Sequence, residues 1–235
     1  MRDTFGIERV LQPRGAVPVT AWKVDNSKKV LPNEARIKVE RVHIELDSFQ
    51  QICSQCDYDE SKVIQRIMDI IDKRGKLHNP FTDSGGMLYG RVEEIGSRLA
   101  EQCDYRVGDE YLCLVTLTAL PLYIESIEKV DFNYGQLIVK GYAIVFEDTM
   151  YFDSHFDEDI RYLLTALQEG GAFYSISRRV EADMSIAILG KDLLTAMLYS
   201  GVIRDTLPPA DGNGRRSLRL YPGRGSEAGS RRICR

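Results

Sequence analysis

The chain has one tryptophan, three histidines and, in its 235 residues, no lysine beyond Lys191. It has no apolar run near the ~18 residues that a membrane-spanning helix needs. Its first residues, Met1-Arg2-Asp3-Thr4-Phe5, lack the apolar core of a secretory signal. There is no excess of positive charge: the net charge is −4, which gives no reason to expect nucleic acid or an anionic membrane as partner. The five cysteines are an odd count and read as reduced thiols of a cytoplasmic protein. His43, His78 and His155 lie far apart, and none sits in a metal-ligand spacing such as HExxH. What is present suits a soluble globular protein. Hydrophobic residues make up 43% and charged residues 28%, in a length that suits one large domain or two small ones.

The stretch that organises the chain is His78 to Gly96, HNPFTDSGGMLYGRVEEIG. Pro80 fixes its own φ and pushes Asn79 towards an extended conformation, and Gly85-Gly86 permits φ > 0 or a close backbone approach. A strand is predicted from Met87 to Ile95. Before it, Thr4 to Leu11 reads as a short strand and Pro18 to Val24 as extended chain. Glu34 to Leu46 alternates with a one-residue slip at Glu40-Arg41, the pattern of a strand with a β-bulge. Ser48 to Cys56 reads as a helical turn. The clearest helix follows, with Asp59 or Ser61 as cap, a stripe of Val63, Ile64, Ile67, Ile70 and Ile71, and Gly75 as terminator.

Further on, residues 107–115 read as a strand, Pro121 to Val130 as a connector and Gln136 to Phe146 as a strand, with one more strand within Thr149 to Phe152. Asp157 to Gln168 reads as a helix stopped by Gly170-Gly171. Met184 to Leu189 is a continuous apolar run ending on Gly190, the look of a buried parallel strand that opens a βαβ unit. Asp192 to Ile203 suits a helix. From Thr206 the composition turns to Pro, Gly, Ser and Arg without periodicity, which predicts disorder. A change of reading frame after about Gly190 is the other reading of that shift.

Several side chains carry chemistry. Cys53 and Cys56 form a CxxC, but no second pair completes a zinc set, so two ordinary thiols beside a helix are the simpler reading. Glu45, Asp47 and Ser48 close the bulged strand, where carboxylates can hold a cationic substrate or move a proton. Phe49 and Ile52 suggest an apolar wall beside them. His78 borders the glycine turn, with Asn79, Thr82 and Ser84 on it. Tyr89, Tyr105, Tyr111 and Tyr123 are read as buried tyrosines that bond their hydroxyls. Gly190 stands where a dinucleotide fingerprint would begin, yet Lys191-Asp192-Leu193-Leu194-Thr195 supplies no second or third glycine.

Four stretches resemble a known family: Gly6 to Asn26, Leu46 to Ile52, Arg74 to Gly96 and Tyr105 to Leu122. Weaker similarity continues through Lys140 to Glu147 and on to Gly190. The chain resembles the L-erythro-3,5-diaminohexanoate dehydrogenases of bacterial lysine fermentation, relatives of the medium-chain dehydrogenases. The resemblance implies an α/β fold: a GroES-like β-barrel catalytic domain over 1–155, then over 156–204 a linking helix and the incomplete start of a Rossmann domain. A disordered tail over 205–235 is expected from composition. The resemblance also implies NAD as cofactor, a small diamino acid as substrate and oxidative deamination to 5-amino-3-oxohexanoate.

Glu45, Asp47, Ser48 and His78 are the expected catalytic residues, with Asn79, Thr82 and Ser84 binding substrate and Gly190 binding cofactor. Zinc relatives carry a Cys at the earlier strand end and a His-Glu pair before the GxVxxxG strand. Here those regions read Leu46-Asp47-Ser48 and Gly85-Gly86-Met87, so no catalytic zinc is expected. The short remainder after Gly190 predicts a mostly missing cofactor domain, and cofactor binding decides whether this chain is an active enzyme or a catalytic-domain fragment. Another zinc-independent medium-chain reductase and a non-catalytic barrel fragment are the alternatives. No nucleic acid or membrane partner is expected, and a homo-oligomer is compatible with the sequence.

Overall fold

Alternation in Glu34–Ile44 builds the strand on which the rest is laid. In the computed structural model, which describes residues 3–152, 159–177, 179–181, 184, 186–190, 199–201, 203 and 218–222, its residues Ala35, Ile37, Val39, Val42 and Ile44 are all buried. The two apolar groups, Ala35-Ile37-Val39 and Val42-Ile44, share one face because the register slips between Val39 and Arg41 against both neighbouring strands, and against β4 this leaves Glu40 as the extra residue. The slip read from the sequence is therefore a real bulge.

The chain divides into two units, Met1–Glu169 and Gly170–Arg235. The first is built on β1 (Val10–Gln12), β2 (Lys23–Val24), β3 (Glu34–Ile44), α1 (Leu46–Gln55), α2 (Glu60–Arg74), β4 (Gly86–Ile95), β5 (Glu110–Cys113), β6 (Leu122–Asp131), β7 (Gln136–Phe146), β8 (Tyr151–Phe152) and the start of α3 (Ile160–Ser177). β1 and β2 pair with each other; the other six strands form one antiparallel sheet in the order β6-β7-β3-β4-β5-β8. This mixed α/β architecture, dominated by a sheet, is the class expected.

One core joins the sheet to α1 and α2. Phe49, Ile52 and Cys53 of α1 and Val63, Ile67, Ile70 and Ile71 of α2 pack with Ile37, Ile44, Leu88, Ile124 and Val139 of the strands. The predicted stripe of α2 is thus the face that is buried, with Ile64 half-covered at its margin. Asp59 is the cap, accepting from the Lys62 amide at 3.1 Å, and Gly75 closes the helix at φ 69. Ile160, Leu163, Leu164 and Leu167 of α3 lie against Met87 and Leu112, as their spacing predicts.

Several expectations are corrected. Residues 122–131 form a ten-residue strand, not a connector. Two register shifts, between Ile124 and Ser126 and between Ile127 and Lys129, break the alternation that would have revealed it. The strand expected over 107–115 is confined to Glu110–Cys113. Gly170-Gly171 does not stop α3, which runs to Ser177; a helical glycine costs only about 1 kcal/mol, which neighbouring turns can offset. The N-terminal strand begins only at Val10, after a 3-10 turn at Ile7–Arg9.

In the second unit, β9 (Ile186–Gly190) lies parallel to β10 (Leu218–Pro222), pairing Ile186 with Leu218 and Gly190 with Pro222. Part of the segment expected to be disordered is therefore a strand; the short alternation of Leu218 and Leu220 with Arg219 and Tyr221 was hidden by the surrounding composition. His155, Lys191 to Leu198 and Cys234 lie outside the described residues.

Candidate functional site

The turn between α2 and β4 is closed by its own backbone. The Asn79 N–H donates to the Ser84 carbonyl at 2.8 Å and the Asp83 N–H to the Asn79 carbonyl at 2.9 Å. Asn79 Oδ1 accepts from the Phe81 N–H at 3.1 Å, an Asx turn ahead of the glycines. Gly86 takes φ 151, and a Cβ there would fall 1.9 Å from the His43 carbonyl oxygen, so the start of β4 accepts no other residue without movement of the backbone.

The turn is pinned to the first turn of α1. Asn79 Nδ2 donates to Ser48 Oγ at 2.8 Å and to Gln51 Oε1 at 2.8 Å. The Glu45 N–H donates to the Gly85 carbonyl at 3.3 Å. The carboxylates expected at a strand end therefore belong to a helix: β3 stops at Ile44, Glu45 is the N-cap residue of α1, and Asp47 and Ser48 lie in its first turn. Glu45 is half-buried, Asp47 exposed and Ser48 fully buried. Negative charge at this end of a helix is favoured by the dipole. Asn79 and Ser48 are engaged with each other, which makes them the frame of the site. Thr82 and Ser84, whose hydroxyls are 3.1 Å apart, are half-exposed at its edge.

Basic residues support the turn from beneath. Arg74 donates from Nη1 to the His78 carbonyl at 2.9 Å and from Nε to the Trp22 carbonyl at 3.1 Å, with its guanidinium 4.5 Å from the centre of the Trp22 ring. Lys76 is fully buried, and its Nζ donates to the carbonyls of Pro18 at 2.6 Å, Thr118 at 2.7 Å and Val19 at 3.3 Å. Burial, and next the charge of Arg74, push the Lys76 ammonium down to about 8, with Asp83 opposing. His78 Nε2 lies 2.5 Å from Asp83 Oδ1. Burial holds the His78 ring below the usual histidine value, Asp83 pulls it up, and Arg74 and Lys76 add to the depression.

Sequence reasoning missed Arg74, Lys76, Asp83 and Gln51. The alternation of cations with apolar residues in Arg74-Gly75-Lys76-Leu77-His78 was the available signal for the first two. The cysteines fare as read: Cys53 and Cys56 pack into the core, and burial pushes the Cys53 thiol up to about 11. Among the described residues no three His, Cys, Asp or Glu side chains converge as metal ligands would. The expectation that buried tyrosines bond their hydroxyls fails at Tyr111. Its hydroxyl is buried without a hydrogen-bond partner among the described residues, and the ring is held instead by Tyr105 edge-on at 5.4 Å and Tyr151 stacked at 4.9 Å.

A family profile described as the L-erythro-3,5-diaminohexanoate dehydrogenase N-terminal domain matches residues 8–155. The chain belongs to that dehydrogenase family. L-erythro-3,5-diaminohexanoate dehydrogenase of Acetoanaerobium sticklandii is 36% identical over 186 residues, covering 79% of this chain and 54% of that protein. The Fusobacterium nucleatum enzyme of the same name is 37% identical over 202 residues, covering 85% and 59%. The chain thus spans a little over half the length of these relatives. Among solved structures, Escherichia coli quinone oxidoreductase complexed with NADPH is 10% identical with a TM-score of 0.38, covering 87% of this chain and 48% of that one. Alcohol dehydrogenase TADH from Thermus sp. ATN1 is 12% identical with a TM-score of 0.38, covering 85% and 54%.

The matched region contains the whole pinned turn and the start of α1, with Glu45, Asp47, Ser48, His78, Asn79, Thr82 and Ser84. Gly190 lies in the second unit, at the end of β9. There Gly190 pairs with Pro222 of the parallel strand β10.

Proposed function

We propose that the chain acts in the NAD-dependent oxidative deamination of L-erythro-3,5-diaminohexanoate to 5-amino-3-oxohexanoate, a step of lysine fermentation. The observation that carries this reading is the family match over residues 8–155, which includes the whole of the pinned turn. NAD, when bound, supplies the hydride acceptor, and Gly190 is the residue that would lie against its pyrophosphate. The chain's own residues do the rest. Glu45 and Asp47 set negative charge at the start of α1, where a substrate with two ammonium groups is attracted. Thr82 and Ser84 offer hydroxyls to its polar groups. Asn79, Ser48 and Gln51 hold the turn at a fixed distance from α1, so that substrate meets a preformed surface.

Glu45→Gln and Asp47→Asn test the charge role. Each is expected to raise KM for the diamino acid about tenfold, equivalent to ~1.4 kcal/mol, with a smaller effect on kcat. Unchanged kinetics in both variants would contradict the substrate assignment.

A further inference from the structure

The six-stranded sheet has a second face, and part of it is hollowed into a groove. Along β3 and β7, Lys38 and Lys140 are exposed while their neighbours Ile37 and Val139 are buried, so the charged positions point away from the core. Tyr123, Tyr142 and Lys38 stand in one row across β6, β7 and β3. The rings of Tyr123 and Tyr142 stack at 5.1 Å with 27° between their planes, and the Tyr142 hydroxyl donates to the Asn26 carbonyl at 2.9 Å. Tyr123 is 41% exposed, and with Ile138 and the charged residues around it lines a cavity of about 720 Å³.

The charges around these rings are unevenly paired. At the β3 end, Arg36 bonds Glu93 and Glu94, both at 2.7 Å, and the charges of Lys28 and Lys38 also act on Glu93, so three cations stand against two carboxylates. At the β6 end, Lys140 bonds Glu128 at 2.5 Å and the charge of Glu125 acts on it too, so two carboxylates stand against one cation. Glu40, at the bulge of β3, is engaged by Arg91 at 3.5 Å. We propose that this groove binds a linear zwitterion of the ω-amino carboxylic acid class, at a site separate from the turn. The carboxylate meets Lys38 and Lys28, the ammonium meets Glu125, and the methylenes between them lie on the open side of the Tyr123 ring. β3 and β6 lie two strand spacings apart, about 10 Å, a span that a chain of about five methylenes with its two charged ends fills. A ligand with one charge sign leaves one end of the groove unanswered, so the site discriminates by needing both. None of these residues belongs to the turn or to α1, so the proposal does not depend on the dehydrogenase reading.

The test is an amide NMR titration of the whole nitrogen-labelled chain with 6-aminohexanoate, and with hexanoate and hexylamine as probes that carry one charged end each. The amides of Lys38, Tyr123, Glu125 and Tyr142 are expected to shift and saturate with 6-aminohexanoate, while those of the turn at 79–84 stay in place. Hexanoate and hexylamine should each bind about fivefold more weakly, the loss of one exposed ion pair. Glu125→Gln should weaken 6-aminohexanoate and hexylamine about fivefold and spare hexanoate. Lys38→Gln should weaken 6-aminohexanoate and hexanoate and spare hexylamine. Each variant keeps one single-ended probe, which separates a lost contact from a lost fold. Shifts that rise without saturating, single-ended probes that bind as well as the zwitterion, or affinities unchanged in both variants would overturn the proposal. Shifts confined to residues 79–84 would put the probe at the turn and overturn it equally.

Discussion

At the scale of single residues, Lys76 is the sharpest case of a charge used for structure. Three carbonyls from two separate loops converge on its Nζ, and no solvent reaches the side chain. Lys76→Met removes all three donors. It is expected to destabilise the protein by about 2 kcal/mol, because the carbonyls left unpaired outweigh the relief of a buried charge. The pH dependence has a definite sign. The folded value of about 8 lies below the ordinary 10.5, so the unfolded chain binds the extra proton between them. Stability from this group therefore rises as pH climbs from 8 towards 10.5 and is lost as pH falls through 8. Urea titrations across that window should show the rise in the parent chain and its absence in Lys76→Met; parallel profiles would contradict the assignment. Arg9 is likewise a buried cation used for structure: its Nε donates to Glu34 Oε1 at 2.8 Å, and its Nη1 and Nη2 donate to the carbonyls of Asp25, Ser27 and Lys29.

At the scale of elements, the decisive contact is between the turn and α1. Asn79 and Ser48 are 31 positions apart in sequence, and the path of α1 and α2 between them brings them to 2.8 Å. Asn79→Ala loses both amide donors and the Asx acceptor, leaving Ser48 and Gln51 without their partner. It is expected to cost about 2–3 kcal/mol and to raise hydrogen exchange of the amides of residues 79–84. Exchange rates equal to the parent's would show that backbone bonds alone hold the turn. This level also shows where sequence is a good guide. The stripe of α2, its Asp59 cap and Gly75 terminator, and the bulge at Glu40 were all legible, because each is set by residues a few positions apart. The strand β6 was not, since its two bulges erase the period of two. The helical setting of Asp47 and Ser48 was not either: apolar Leu46 continues the alternation of β3 two residues past its end at Ile44.

At the scale of the whole molecule, the first unit holds one continuous core from α1 and α2 through the six-stranded sheet. The family stretches fall within it, and the turn they share is where buried polar side chains concentrate: Arg74, Lys76, His78, Asn79 and Ser48. Residue types alone marked His78, Asn79, Thr82 and Ser84 as neighbours in one turn. They could not show that Asn79 and Ser48 frame the site, or that Asp83 and Lys76 belong to it, because those roles depend on partners distant in sequence or on burial. The second unit adds a parallel strand pair that the composition of its last segment concealed. The account as a whole stands on amine oxidation coupled to nicotinamide reduction. Its most direct test is to incubate the purified chain with NAD and 3,5-diaminohexanoate and to measure NADH and ammonium together. The account predicts that both appear, in equal amounts, and only with the diamino acid present. NADH formed without ammonium, or neither product, would contradict it.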